Sequence, residues 1–335
     1  MTLNETRNKK FTLASRPQGE AGPQNFALKD ETLPAPGEGQ ILVRHHYLSL
    51  DPYMRGRMND ARSYAQPQPL GEVMIGGTVG EVVASQNPRF KQGDKVVGMG
   101  GWQLYSLHDG KGWQKVDPRA PLQACLGALG MPGVTAWYGV NKIIAPKAGE
   151  TIVVSAASGA VGSVVGQLIT QAGARAVGIA GGAEKCRYAI ETLGFAACVD
   201  HRAPDFPTAL KAATPQGIDG VFENVGGQPL ELCMRRLNDF ARIAICGLVA
   251  SGYDGTPTPL SNIAVMLATR SKMQGFIVSD HLGLWPQALS ELGGLAAAGK
   301  LKWRETVAQG LEAAPEAFFG MLKGRNFGKQ LVKLV

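Results

Sequence analysis

The sequence carries little charge: 18% of its 335 residues are Asp, Glu, Lys or Arg, while 44% are apolar. That balance excludes a disordered chain and leaves enough apolar surface for a large core in one or two domains. Lysine and arginine outnumber the acids 34 to 27, a formal net charge of +7. The basic residues are scattered and form no run beyond Asn8-Lys9-Lys10, so a small phosphate-bearing ligand fits better than a nucleic acid. Cysteine is sparse. Cys125, Cys186, Cys198, Cys233 and Cys246 are odd in number and no two stand two residues apart, which argues against a disulfide framework and a structural zinc lobe. No stretch of about 18 residues is continuously apolar, and the best candidate, near Val153, is broken by serines and glycines. The start leads into Ser15-Arg16-Pro17-Gln18-Gly19 rather than an apolar segment, so the expectation is a cytoplasmic protein without membrane contact. Internal repeats and low-complexity segments are also missing.

What is present divides into two textures. Up to about residue 125 the chain reads as short strands punctuated by turn signals such as Pro36-Gly37 and Asn87-Pro88, with strands expected over 40–47, 73–84 and 95–98. From Thr151 strands alternate with helices. Strands are expected over 151–155, 176–180, 197–200, 218–222, 242–246 and 273–278. Val161, Val164, Val165, Leu168 and Ala172 recur at helical spacing, and further helices are expected over 183–193 and 284–298. Successive strand–helix units imply an α/β fold with a doubly wound parallel sheet. The tail reads as a helix over 314–322 and a strand over 329–335 that could return to the first domain.

The sharpest feature is residues 151–162, TIVVSAASGAVG: a β-branched run that ends in small residues and opens an apolar helix. In G-x-G-x-x-G terms the turn is Ala157-Ser158-Gly159-Ala160-Val161-Gly162, with alanine at the first position. Gly159 lets a backbone approach a pyrophosphate, Gly162 lets helix and strand pack closely, and the helix N-terminus supplies amides and partial positive charge. Such turns also serve plain packing; the strand–turn–helix setting favours a dinucleotide. An NAD site usually ends its second strand on a carboxylate that binds the ribose. Here that strand ends Ala180-Gly181-Gly182, then Ala183-Glu184-Lys185. Small residues leave room for a 2′-phosphate and Lys185 offers it a point charge, so NADPH is favoured over NADH although Glu184 is close by and Lys185 could be an ordinary solvated lysine. Strands four and five run into Glu223-Asn224 and Cys246-Gly247, which makes Asn224 and Cys246 candidates for the nicotinamide side, Cys246 through its backbone rather than its thiol.

AASGAVG, GGAEKC (181–186), ENVGG (223–227), GMPGVTA (130–136), LDPYMRG (50–56) and GRNFGK (324–329) together resemble the medium-chain dehydrogenase/reductase superfamily. Within it they are similar to the zinc-independent branch of prostaglandin reductases, plant alkenal reductases and bacterial curcumin reductases, nearly end to end. The resemblance implies NADPH-dependent reduction of the carbon–carbon double bond of α,β-unsaturated ketones and aldehydes, usually by a homodimer. It implies a GroES-like catalytic domain over 1–128 and 303–335 and a Rossmann domain over 129–302. It implies that Met131, Thr135, Lys185, Asn224, Cys246, Phe276, Val278 and Asn326 line the cofactor and that Tyr53 lies at the substrate. Many relatives carry a tyrosine near the adenosine phosphate where this chain has His201, whose charge is pH-sensitive. They also carry a tyrosine-asparagine pair soon after the fifth strand; Tyr253 is the equivalent here, in a run one residue longer.

Zinc alcohol dehydrogenases place a cysteine after an early strand and a Gly-His-Glu later; here the corresponding runs are Leu50-Asp51-Pro52-Tyr53 and Leu70-Gly71-Glu72-Val73. His45 and His46 are adjacent on a strand and face opposite ways. No catalytic zinc is expected. An enone then has to be activated by hydrogen bonds at its carbonyl oxygen, each well-aimed donor worth about 3–4 kcal/mol. Tyr253 is the candidate donor, alongside a cofactor ribose hydroxyl, with Tyr53 shaping the site or also donating; either tyrosine could instead be a plain wall aromatic. A quinone reductase on the same fold, a non-catalytic NADPH-binding protein, and a methyltransferase with its own glycine turn are the rival readings. The last is disfavoured by Lys185 and by the missing acid after strand two.

Overall fold

In the computed structural model, residues 5–251 and 259–335 are described. They form two compact units: the chain up to Leu126 together with Glu305–Val335, and Gly127–Arg304. The first unit opens with β1 (Glu5–Leu13), β2 (Phe26–Pro34), β3 (Ile41–Ser49), helix α1 (Tyr53–Arg57), β4 (Thr78–Ser85), β5 (Lys95–Gly98), β6 (Tyr105–His108) and β7 (Gln114–Lys115). The second holds α2 (Met131–Tyr138), β8 (Thr151–Ser155), α3 (Gly162–Gln171), β9 (Arg175–Ala180), α4 (Ala183–Glu191), β10 (Ala197–Asp200), α5 (Phe206–Ala213), β11 (Ile218–Glu223), α6 (Gly227–Met234), β12 (Leu237–Ile245), α7 (Val265–Thr269), β13 (Lys272–Gly275) and α8 (Trp285–Ala297). The chain then returns to the first unit through β14 (Glu305–Gln309), α9 (Ala314–Leu322) and β15 (Lys329–Lys333).

In the first unit β1 pairs antiparallel with β2, and a second sheet runs β14-β15-β3-β4-β5-β7 with β6 also on β3. Its pairings are antiparallel except the terminal pair β14–β15. Aromatic rings knit the core: Phe26 stacks on Trp102 at 5.2 Å between centroids and Phe318 of α9 meets Trp102 edge-on at 5.5 Å. The strand expected over 73–84 begins only at Thr78. Val73 and Met74 bond back toward β1 instead, Val73 bridging Thr12 and the Met74 amide donating to the Phe11 carbonyl at 2.8 Å. Alternating hydrophobicity cannot show which neighbour a strand-like segment joins, so the two were fused.

The second unit is the doubly wound sheet expected. Its six strands are all parallel in the order β10-β9-β8-β11-β12-β13, so the order reverses between β8 and β11. Ile152 and Val154 pack with residues of α2, α3 and α8, while Val153 packs with residues of α5 and α6, so every residue of β8 is buried and the run Thr-Ile-Val-Val-Ser shows no polar alternation. Two strands shift at their ends: β12 starts earlier than expected and β13 stops at Gly275, three residues short of Val278. Among the described residues no helix is long and apolar enough to cross a membrane.

His45 on β3 is fully buried, with Nε2 2.7 Å from the Ser106 hydroxyl and its ring stacked on Trp113. Burial drives its pKa down to about 3, so it folds neutral. The unfolded chain takes up a proton near pH 6.5 and the folded protein does not until about 3. The contribution is therefore intact above pH 6.5 and is lost as pH falls, by up to about 5 kcal/mol at the acid limit. Urea melts at pH 6.5 and pH 4 should show a shallower loss of stability for His45→Gln than for the parent; equal slopes would show that another group drives acid unfolding.

Candidate active site

The glycine turn is built from one close approach. β8 ends at Ser155, Ala156 takes a left-handed φ of 49°, and the Ala157 amide returns to donate to the Ile179 carbonyl of β9 at 3.0 Å. Gly159 N–H closes the turn on Ala156 O at 2.8 Å, and Ser163 N–H to Gly159 O at 3.0 Å is the first bond of α3. A β-carbon on Gly162 would stand 2.3 Å from Ala156 O. Ala157, Gly159, Ala160, Val161 and Gly162 thus gather where the carboxyl end of β8 meets the N-terminus of α3, whose partial positive charge favours an anion. This is the switch point of the sheet, the usual ligand crevice of such folds.

On one side of that point β9 gives way to Gly181-Gly182. Asp200, at the end of β10, turns Oδ1 toward this loop and accepts from the Gly182 and Arg202 amides, each at 2.9 Å. Burial works against its charge, but the two amides outweigh it and hold the carboxyl below the usual range. A β-carbon on Gly181 would lie 2.9 Å from both His201 Nε2 and Arg202 Nε, so glycine lets these two nitrogen-bearing side chains close on the backbone after β9. Lys185, half-buried in the first turn of α4, has its pKa lowered by burial and by Arg202, with Glu184 opposing. Partial burial of the ring and the same guanidinium lower the His201 pKa. Arg202 escaped the sequence reading; its only signal was its place beside His201, and its convergence with Gly181 is a tertiary fact.

On the other side, Asn224 follows β11 and binds back to β8: its amide donates to Ser155 Oγ at 2.7 Å and its side-chain Nδ2 to Ser155 O at 2.8 Å. Cys246 N–H donates to Glu223 O at 2.9 Å. Its thiol is pushed up to about 12 by burial and by Glu223, so it is no nucleophile and its backbone does the structural work. Because β13 ends at Gly275, Phe276 and Val278 lie beyond the strand rather than within it. Phe276 packs against Tyr138 at 5.4 Å and edge-on to Phe222 at 6.2 Å. Met131 opens α2 and is exposed, and the Thr135 hydroxyl donates to Met131 O at 2.8 Å.

Tyr53 and Asn326 belong to the first unit. Tyr53 starts α1, and burial together with Asp51 raises its phenol pKa, so it stays protonated. The segment before it is pinned by a buried ion pair: Lys329 Nζ donates to Asp51 Oδ1 at 2.7 Å and to Leu50 O at 2.6 Å, and the Ser49 hydroxyl donates to Asp51 Oδ2. Asn326 Nδ2 donates to Gly328 O at 2.7 Å. Tyr253 lies outside the described residues. Among those described, no three His, Cys, Asp or Glu side chains could hold a metal ion.

Two family models match the chain, the N-terminal domain of oxidoreductase over residues 9–116 and the zinc-binding dehydrogenase over 160–293. The NADPH-dependent curcumin reductase of Escherichia coli is 46% identical over 100% of this chain and 99% of its own. The 2-alkenal reductase (NADP⁺-dependent) of Nicotiana tabacum is 38% identical over 98% of each. The crystal structure of CurA in complex with NADPH from Vibrio vulnificus matches with a TM-score of 0.93 at 45% identity, over 98% of this chain and 99% of that one.

The Gly162 contact is steric and backbone-to-backbone, so nothing flexible can yield. Gly162→Val should lower the melting temperature and abolish dinucleotide binding measured by calorimetry; a variant that binds as the parent does would show that α3 can retreat from β8 at no cost.

Proposed function

The chain belongs to the medium-chain dehydrogenase/reductase superfamily, beside the curcumin, 2-alkenal and prostaglandin reductases, and we propose that it reduces the carbon–carbon double bond of α,β-unsaturated ketones and aldehydes with NADPH. The observation that carries the reading is the convergence of the His201 and Arg202 side chains on Gly181, with Asp200 committed to backbone amides instead of a ribose. The residues fit a 2′-phosphorylated dinucleotide. Lys185, His201 and Arg202 hold the 2′-phosphate, and the turn Ala157, Gly159, Ala160, Val161 and Gly162 takes the pyrophosphate. Met131, Thr135, Gly181, Asn224, Cys246, Phe276, Val278 and Asn326 complete the cofactor contacts.

NADPH, when bound, supplies the hydride that the carbon β to the carbonyl accepts. The chain's own part is to stabilise the negative charge that develops on the carbonyl oxygen and to deliver a proton. Tyr253 donates a hydrogen bond at that oxygen, and Tyr53, kept protonated, borders the substrate. Neither step needs a metal ligand, in keeping with the Asp51-Pro52-Tyr53 and Gly71-Glu72 runs where zinc enzymes carry cysteine and histidine.

The test follows the absorbance of reduced nicotinamide against a panel of enones, enals and quinones. Turnover of enones and enals with one NADPH consumed per saturated product is expected; turnover of quinones alone, or NADPH binding without consumption, would replace this reading by one of its rivals. In the same assay Lys185→Ala should weaken NADPH by about ten-fold or more and leave NADH nearly unchanged. Equal losses would put the 2′-phosphate elsewhere.

The same reading makes the protein a cytoplasmic homodimer. Its five cysteines are free, as a reducing compartment would keep them. β13 is a terminal strand of the parallel sheet, and Leu267 in the adjoining α7 is 86% exposed with Ile263 at 55%. A strand edge unpaired among the described residues, beside exposed apolar side chains, supports pairing with a second copy across a two-fold axis. Light scattering should find a dimer for the parent and a monomer for Leu267→Asp; a variant that stays dimeric would move the interface elsewhere.

A further inference from the structure

Glu223 is an expensive residue to place where it sits. It is the last residue of β11, fully buried, at the switch point rather than on the surface. Its Oε1 accepts from Ser155 Oγ at 2.6 Å, from Val225 N at 2.5 Å and from Gly226 N at 2.8 Å. Oε2 is buried and has no hydrogen-bond partner among the described residues. The backbone carbonyl of the same residue accepts from Cys246 N at 2.9 Å and Gly247 N at 3.1 Å. One residue therefore joins the carboxyl ends of β8, β11 and β12.

The ties converge on Asn224. The Ser155 hydroxyl that donates to Glu223 also accepts from the Asn224 amide, and Asn224 Nδ2 holds Ser155 O. Beyond it, Asn224 O and Val225 O accept from Val249 N at 3.2 Å and Ala250 N at 2.9 Å, so the segment after β12 hangs from the segment that Glu223 sets. Burial raises the carboxyl pKa against the pull of Ser155 and the amides of Gly226, Val225 and Asn224. The acceptor at Oε1 is what the network uses, and a neutral side chain of the same shape can supply it.

We propose that Glu223 is a positioning residue for the nicotinamide end of the cofactor, acting through Ser155 and Asn224, and that it has no part in holding the adenosine end. The inference rests on the reading that this site takes NADPH. A purely structural role would loosen the whole site; a positioning role loosens one half of it. The two halves can be read separately, because 2′,5′-ADP carries the phosphorylated adenosine and no nicotinamide.

Calorimetric affinities for NADPH and for 2′,5′-ADP, with kcat and melting temperature alongside, test the proposal on three variants. Glu223→Gln keeps an acceptor at Oε1 and should stay within about three-fold of the parent for both ligands and for kcat. Glu223→Leu leaves three donors unsatisfied and should lose about ten-fold or more in NADPH affinity or kcat, since a shift of about 1 Å in a reacting group can cost on the order of 100-fold. Its affinity for 2′,5′-ADP should stay within about two-fold. If Glu223→Leu does not fold, Ser155→Ala, which removes only the hydroxyl between Glu223 and Asn224, should show the same split with a smaller loss. Equal losses of affinity for both ligands, or a Glu223→Leu that keeps both its NADPH affinity and its kcat, overturn the positioning role while the functional reading stands. A parent protein that binds neither ligand overturns both.

Discussion

The helix α3 can start where it does only because nothing stands between Gly162 and the Ala156 carbonyl, a gap of 2.3 Å for a side chain's first carbon. From that contact the rest of the second unit follows. The helix is brought up against the end of β8, so its N-terminus lies at the switch point of the sheet. Ala156 accepts a left-handed backbone to make the reversal that brings Gly159 N–H onto its own carbonyl. The order of the sheet then leaves the ends of β8 and β11 as the walls of one crevice, and the described candidates of that unit other than Met131 and Thr135 of α2 lie on segments that follow strands of this sheet.

Charge at that crevice is arranged by diversion as much as by placement. Asp200 is an acid near the end of the second strand, where a carboxylate could repel an added phosphate. It faces the Gly182 and Arg202 amides instead, which lowers its pKa and leaves the space over Gly181 to nitrogen-bearing side chains. Glu184 is exposed, and Lys185 beside it is half-buried. The same economy recurs at the other wall, where a buried carboxyl serves as a backbone organiser and two thiols near it, Cys233 and Cys246, are held protonated by burial and by that carboxyl.

In the first unit polar groups are likewise consumed internally. Lys329 and Asp51 satisfy one another and the Leu50 carbonyl within the interior, which joins the last strand to the segment that begins α1. Removing either partner alone would strand a buried charge, a loss of about 3–5 kcal/mol. This pairing links residues 278 apart in the chain, so no local pattern announces it.

Local chemistry settled much of the molecule from sequence. β8, β10, α4's start and α9 follow directly from β-branched runs, helical spacing and small-residue stops, because these depend on neighbours within a few positions. The glycine turn was legible for the same reason: strand, reversal and helix start are contiguous. Elements whose partners are remote were not. β1, β2 and β14 carry polar or mixed sequences and exist because of what they pair with, and the segment at Val73 and Met74 looks like the strand that follows it until β1 claims it. The convergence of Arg202 on Gly181 and the joining of three strand ends by Glu223 were decided only by folding. Both are contacts between segments at the ends of different strands, and position in a sheet is set by long-range burial, which one sequence's local spacing does not encode.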